Sequence, residues 1–372
     1  MRIGIAGAGP AGLHLACLLR ARRPEAEIRL VEQNPQGASY GFGVVFSDRA
    51  LDFLEADDPG LHAALAGRLE AWQGIALNHP GGRVVVDGIG FTAIARRDLL
   101  ALLTERCRAA GVQPEFGVRA DAATFAGCDL VVAADGVNSV LRGAGDFGTT
   151  IHELGNRFAW FGTSRRFDML SQTFRRTALG AFNAHHYRYA PAMSTFIVET
   201  DAATFARAGF AGMSPELTRA LLEEVFAPEL GGHALISNRS AWRRFPVLRN
   251  ARWSVGNTVL IGDALRTAHF SIGSGTRLAM EDSIALVRAL DAHWGDIPAA
   301  LAAYEAERRP VVQKLCAAAD ASAAWYEDFA AHMELAPLDF ALSYIQRSGR
   351  VDLDRLARIA PDFVARLRAE GH

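Results

Sequence analysis

Lysine is almost missing from this chain: Lys314 is the only one among 39 basic residues, so nearly all positive charge is carried by arginine. Arginine suits bidentate contacts to phosphate or carboxylate, and its excess fits a compositional bias equally well. A net charge of −2, with 39 basic against 41 acidic side chains, excludes a global field that would draw in nucleic acid or an anionic membrane. Cysteine is sparse too. Cys17, Cys107, Cys128 and Cys316 lie far apart, without CxxC spacing and in apolar or helical surroundings. That pattern excludes a disulfide framework and a zinc site, leaves no metal to expect, and favours the cytoplasm. No run reaches the eighteen apolar residues of a membrane span, and neither internal repeats nor low-complexity linkers occur. The apolar N-terminus is broken by glycines and a proline, unlike a secretory segment.

What is present begins six residues in. Gly7-Ala8-Gly9-Pro10-Ala11-Gly12 follows an apolar run, and Glu32 closes the next one, Ile28-Arg29-Leu30-Val31. A dinucleotide site needs these parts: Gly7 for a tight strand-to-helix turn, Gly9 for backbone approach to a pyrophosphate, and Gly12 for close helix–strand packing. The phosphates rest on a helix N-terminus, and a carboxylate ending the second strand accepts from a ribose.

With 372 residues, half of them hydrophobic, the chain can fill two domains or one large domain with an excursion. Asp48 to Trp72 reads as helical with an interruption at Asp58-Pro59-Gly60; Ile75 to Val86 alternates around His79-Pro80-Gly81-Gly82; Asp98 to Ala110 has helical periodicity. Asp129 to Ala134 reads as a buried parallel strand. From about Phe158 to Trp242 longer alternating runs predict an inserted antiparallel sheet, with a helix near Pro215 to Phe226. The chain returns to α/β character at Thr258-Val259-Leu260-Ile261-Gly262-Asp263 and ends mainly helical, with breaks expected at Pro298 and Pro310. The expected fold is therefore mixed α/β: a Rossmann-like nucleotide domain (1–72, 85–157 and 243–330), an inserted antiparallel-sheet substrate domain (73–84 and 158–242), and a helical C-terminus (331–372).

Asp135-Gly136, followed by Arg142, and Gly262-Asp263-Ala264 each put an aspartate at the carboxyl end of a strand, where open α/β sheets bind ligands. In order with the N-terminal fingerprint, these motifs resemble the single-component FAD-dependent aromatic hydroxylases of para-hydroxybenzoate hydroxylase-like fold. The resemblance implies that Asp263 contacts flavin ribityl or pyrophosphate oxygens and that Arg96 reaches the flavin chain. It gives Asp135 a supporting role in the nucleotide domain and the reductant's approach. Gly273-Ser274-Gly275-Thr276 would present helix amides to the reduced flavin. Where the family shows a histidine this chain has Arg266, and His269 and Phe270 stand where it has prolines. His269 is thereby expected where substrate ring and flavin edge meet, with Phe270 beside the substrate. The family's arginine before the Gly-Val pair is also missing from Gly41-Phe42-Gly43-Val44, so flavin movement is not carried over.

The strings His269 to Asp282, Tyr40 to Asp48, Ser194 to Glu199 and Arg347-Ser348-Gly349-Arg350 resemble the aryl-CoA branch, the salicylyl-CoA 5-hydroxylases and anthraniloyl-CoA monooxygenase flavin domains. Violacein-pathway indole hydroxylases share two of these runs. The chain has no room for the second reductase-type domain of the anthraniloyl-CoA enzymes, so a stand-alone hydroxylase is expected. The implied reaction uses FAD, NADH or NADPH as a transient co-substrate, and O2, and hydroxylates a small aromatic substrate through a flavin C4a-hydroperoxide. His269, His185 and Tyr187 are the candidate bases, and Arg175 and Arg176, among paired arginines of the inserted region, the candidate CoA contacts. No nucleic acid or membrane partner is expected, and the state is monomer or homodimer. A redox-inactive nucleotide-fold scaffold and a plain nicotinamide dehydrogenase remain as rivals.

Overall fold

The computed structural model describes residues 1–47 and 51–371. Two sheets organise them. The first has six strands in the order Ser254–Val255, Thr258–Leu260, Leu130–Ala133, Arg2–Ala6, Glu27–Glu32 and Glu115–Phe116. All its pairings are parallel except the short hairpin Ser254–Val255 with Thr258–Leu260. Its central strands are almost wholly apolar because both faces are covered, and Ile3, Ile5, Leu30, Leu130 and Val132 are all fully buried. Helices Pro10–Arg22, Arg96–Ala109, Gly275–Ala292 and Ile297–Glu327 supply much of that cover.

The fingerprint glycines do the packing their positions demand. Gly7 has φ +101°, and a Cβ there would lie 2.3 Å from the Ala134 carbonyl oxygen; one on Gly12 would lie 2.0 Å from the Gly7 oxygen. Glycine at both positions lets helix Pro10–Arg22 settle directly on the sheet.

The second sheet is built mainly of antiparallel pairs. Its strands run Leu235–Ser237, Thr149–Thr163, Met193–Thr200, Gly180–Ala190, Leu170–Thr177, Glu70–His79, Gly82–Ala95 and Gly43–Ser47, and Arg243–Asn250 also pairs with Thr149–Thr163. One pairing, Glu70–His79 with Leu170–Thr177, is parallel. This sheet takes in more chain than residues 73–84 and 158–242. Alternation identifies a strand but not the sheet it joins, and the cross-strand partners of Gly43–Ser47 and Thr149–Thr163 come from distant sequence.

Within the expected helix from Asp48 to Trp72, residues 48–50 lie outside the described residues. From residue 51 onward the chain forms helices Asp52–Asp57 and Pro59–Ala66, and then the strand that begins at Glu70. Trp72 is buried as a strand residue opposite Phe91. The expected breaks at Pro298 and Pro310 are corrected as well. Pro298 sits in the first turn of helix Ile297–Glu327, where its missing N–H costs nothing, and Pro310 lies inside the same continuous helix. Burial of Tyr304, Arg308, Val312 and Leu315 along one side holds the helix together through the lost hydrogen bond.

Beyond Glu327 the C-terminal helices Phe329–His332, Pro337–Gln346, Leu353–Ile359 and Pro361–Ala369 pack on the second sheet. Phe174 meets Phe340 edge-on at 4.7 Å between centroids, one contact of an aromatic core shared with Trp325 and Tyr344. This packing brings the 344–350 segment to the site.

Candidate active site

A recess of about 230 Å³ opens at the carboxyl ends of the first sheet, lined by Ala8, Gly9, Glu32, Asn34, Arg96 and neighbours. Helix Pro10–Arg22 points its N-terminus here. Its N-cap, Gly9, offers no side-chain cap, Pro10 occupies the first turn, and a Cβ on Gly9 would meet nothing within 4 Å. The amides of that turn, Ala11 and Gly12 included, are therefore left for an anion. Glu32 Oε2 accepts the Ala8 amide at 2.9 Å, and its Oε1 accepts the Asn34 backbone amide at 2.9 Å and the Asn34 side chain at 2.6 Å. The carboxylate is thereby locked beside the glycine turn. Asp135 lines an adjoining pocket; its Oδ2 accepts the Val140 amide at 2.8 Å, while the buried Oδ1 has no partner.

Arg96 opens helix Arg96–Ala109 and also lines a second cavity of about 360 Å³, so the two recesses meet at its guanidinium. Burial lowers the pKa of Arg96, and Asp263 opposes that shift. Asp263, Gly273, Ser274, Gly275 and Thr276 line this second cavity. Helix Gly275–Ala292 begins there with no side-chain cap, and Gly273 has φ +60°, where a Cβ would lie 3.3 Å from Val45 Cγ1. Uncapped amides at one wall, with the Arg96 guanidinium and Asp263 lining the same cavity, make a cradle for a flavin ring system bearing negative charge. The two linked recesses, the orphaned Asp135 oxygen and the open space before Gly9 fit FAD.

Arg266 does not face this cavity. It is buried and paired with Asp282 at 2.6 Å, and it donates to the Gly262 carbonyl at 2.8 Å. Asp282 also accepts the Gly262 amide at 3.0 Å and pairs with buried Arg308 at 3.1 Å. The residue standing in the family's histidine position thus clamps the Gly262-Asp263 turn to the long helices.

The opposite wall belongs to the second sheet and to Phe270: Trp160, Leu170, Gln172, His185, Tyr187 and Ile197. His185 and His186 are successive strand residues facing opposite sides. His186 stacks on Phe196 and meets the Thr173 hydroxyl at 2.9 Å. His185 lines the cavity, stacks on Tyr326 at 5.0 Å and places Nε2 3.4 Å from Glu199 Oε2. Its Nδ1 has no partner among the described residues. Burial, with Arg347 adding to it, lowers the His185 pKa to about 3, so the ring is neutral at pH 7. Glu199, 2% exposed, accepts from Asn156 at 3.0 Å; burial raises its pKa, with His269 and Asn156 opposing.

Two expected bases change role. His269 does not line the cavity. It is 3% exposed behind Phe270, and its Nδ1 accepts the Ser271 amide at 3.4 Å and contacts the Ser271 hydroxyl at 2.8 Å, which touches Ser322 at 2.8 Å. Burial lowers its pKa to about 4, with Glu199 opposing. In this place it caps the short turn Phe270–Ile272 that forms the cavity wall. Tyr187 does line the cavity, but its hydroxyl donates to the Gly43 carbonyl at 2.9 Å and burial raises its pKa, so it stays protonated and cannot serve as a base at neutral pH.

Arg175 and Arg176 line none of this. Arg175 pairs with Glu229, and Arg176 with Glu334 at 2.7 Å and the Ala330 carbonyl at 2.9 Å. Glu199, Trp160 and Arg347 were missed as site residues. A lone carboxylate in the otherwise uncharged run Met193 to Thr200 was the available signal for Glu199.

Residues 109–319 match the family model described as FAD binding domain. The chain is 43% identical over 362 residues to salicyloyl-CoA 5-hydroxylase of a Streptomyces species, covering 94% of this chain and 70% of that protein. It is 39% identical over 328 residues to 3-hydroxy-4-methyl-anthranilyl-[aryl-carrier protein] 5-monooxygenase of Streptosporangium sibiricum, covering 88% and 89%. The chain belongs to the FAD-dependent aromatic monooxygenases. Protodeoxyviolaceinate monooxygenase of Chromobacterium violaceum is 36% identical over 365 residues, covering 93% of this chain and 94% of that one. Among solved structures, the tetrameric form of 2-methyl-3-hydroxypyridine-5-carboxylic acid oxygenase superposes with a TM-score of 0.72 at 18% identity, covering 98% and 97%, which is a likeness of fold. This monooxygenase therefore uses FAD, with NAD(P)H as reductant and O2 as oxidant. Among the described residues no helix is long and apolar enough to cross a membrane.

Proposed function

We propose that this monooxygenase hydroxylates the ring of an aryl thioester of the salicyloyl- or anthraniloyl-CoA kind. The observation that carries the reading is one cavity with two chemistries: Arg96, Asp263 and the Gly273–Thr276 amides on one wall, and His185, Trp160 and Phe270 on the other. The names of two relatives, one acting on a CoA ester and one on an aryl-carrier protein, support a thioester.

FAD, when bound and reduced by NAD(P)H, supplies the activated oxygen that is transferred to an electron-rich ring carbon. Gly7, Gly9, Pro10, Ala11, Gly12 and Glu32 hold its nucleotide end, with Asp135 and Gly262 shaping the turns beside it. Phe270, Trp160 and the body of Tyr187 form an apolar slot for the ring and keep water from the reacting centre. His185, neutral because burial lowers its pKa to about 3, accepts a hydrogen bond at its free Nδ1 from an ortho hydroxyl or amino group and polarises it, raising electron density at the ring carbon attacked. Glu199 is a positioning residue that orients the imidazole through Nε2. Four free cysteines suit a reducing cytoplasmic setting, and the chain acts as a monomer or homodimer.

The test is stimulation of NAD(P)H oxidation, with product analysis, using salicyloyl-CoA, anthraniloyl-CoA, free salicylate and an indole substrate. Hydroxylated thioester is expected. Turnover of the free acid or the indole at the thioester's rate would overturn the reading.

A further inference from the structure

Arginines without a carboxylate partner line the cavity in Arg347 and Arg350, whereas Arg175 and Arg176 of the inserted sheet are paired. Along the 344–350 segment Tyr344 is buried, Arg347 half-buried and Arg350 exposed, and all three line the ring cavity, so this segment runs from its interior to its rim. Arg347 is pinned. It donates to the Tyr344 carbonyl at 2.6 Å and the Ser271 carbonyl at 2.9 Å, and lies 3.8 Å over the Tyr344 ring. Arg350 has no hydrogen-bond or ion-pair partner for its side chain among the described residues, and the charges acting on it are those of Arg277 and Arg355. Both are like charges, and together with burial they lower its pKa.

The acids nearby are committed. Glu281 pairs with Arg277 at 2.7 Å and with Arg308 at 3.1 Å, and Asp352 caps the helix at Leu353 by accepting the Arg355 amide at 2.7 Å. Arg355 itself reaches the Arg350 carbonyl at 3.3 Å. Arg350 at the cavity, under the like charges of Arg277 and Arg355, is a guanidinium short of an anion, and guanidinium groups suit phosphate oxygens.

We propose that Arg277, Arg350 and Arg355 form the anchor for the phosphate groups of the thioester's tail, while its aromatic ring enters toward His185 and Phe270. The inference rests on the thioester reading above and names the residues that distinguish a CoA or phosphopantetheine tail from a free acid. A free CoA tail and a carrier-bound tail share a phosphodiester on pantetheine; CoA adds further phosphates.

The experiment compares three thioesters of one hydroxybenzoate, carried on pantetheine, phosphopantetheine and CoA, with FAD-loaded wild type and the Arg350→Glu, Arg355→Glu and Arg350→Lys variants. Wild type is expected to show KM falling as phosphates are added. Arg350→Glu and Arg355→Glu should each raise the KM for the CoA ester on the order of tenfold and collapse its advantage over the pantetheine ester, and Arg350→Lys should restore much of it. A drop completed at phosphopantetheine assigns the anchor to a carrier-type tail; a further drop at CoA assigns it to free CoA. Retention of the CoA advantage by both charge reversals overturns the anchor alone, as does a KM rise confined to NAD(P)H. Equal use of free acid and CoA ester by wild type takes down the thioester reading and the anchor with it.

Discussion

Replacing His185 with Gln tests the hydrogen-bond acceptor while preserving the cavity. Glutamine can still donate to Glu199, whose buried carboxylate would otherwise be stranded at a cost of about 1–3 kcal/mol, so the variant should fold and bind FAD. Wild-type His185 is neutral from pH 8 down to pH 5, because burial lowers its pKa to about 3, so Nδ1 stays a hydrogen-bond acceptor throughout that range. A hydrogen bond to a group that gains charge is worth about 1.5–3 kcal/mol, or roughly ten- to a hundredfold in rate. Product formation should therefore fall roughly ten- to a hundredfold, whereas NAD(P)H oxidation continues and releases hydrogen peroxide. The assay follows NAD(P)H loss, peroxide and hydroxylated product in one reaction. An unchanged product yield per NAD(P)H would refute the role of His185.

Folding stability should fall on acidification. His185, His186 and His269 have folded pKa values near 3, 3 and 4 against about 6.5 unfolded, so below pH 6.5 the unfolded chain binds protons that the folded one cannot. The loss is about 2 kcal/mol per histidine by pH 5, partly offset by the raised Glu199, and a melting temperature flat from pH 7 to pH 5 would contradict it. Asp282→Ala strands the buried Arg266, leaves Arg308 with Glu281 alone and removes the acceptor of the Gly262 amide, costing about 3–5 kcal/mol and loosening FAD; a change below about 1 kcal/mol in denaturant titration would show the clamp to be unimportant. Gly12→Ala puts a Cβ 2.0 Å from the Gly7 oxygen, so the helix must shift off its strand, and the protein should purify colourless or nearly so. Arg175→Glu with Arg176→Glu should leave the KM for the thioester within about twofold, since what it breaks, a half-buried pair to Glu229 and an exposed one to Glu334, lies away from the cavity.

The nucleotide half was legible because its chemistry is local. Gly7, Gly9 and Gly12 act within one turn, Glu32 ends the neighbouring strand, and backbone sterics alone demand glycine where a Cβ would strike a carbonyl. The Gly262-Asp263 turn and the helix entry at Gly273–Thr276 were readable for the same reason. The second sheet's alternation announced strands, and with them the fold class, without announcing their partners.

The ring wall depended on contacts between distant segments. His185 faces the cavity and His269 does not, although both are histidines in apolar runs, because the former stands on the cavity face of strand Gly180–Ala190 and the latter turns behind Phe270 to cap its own loop. Tyr187 loses its capacity as a base to the Gly43 carbonyl, 144 residues away in the chain. Likewise Arg175 and Arg176 are neutralised by carboxylates that only folding brings near, and Arg350 at the cavity is left under the like charges of Arg277 and Arg355. Sequence by itself determined the strand–turn–helix on which the dinucleotide is proposed to sit, since that rests on spacing along one strand and one helix. Tertiary structure decided which histidine and which arginines can meet a substrate, since burial and partner charge come from elements that touch only in the folded chain.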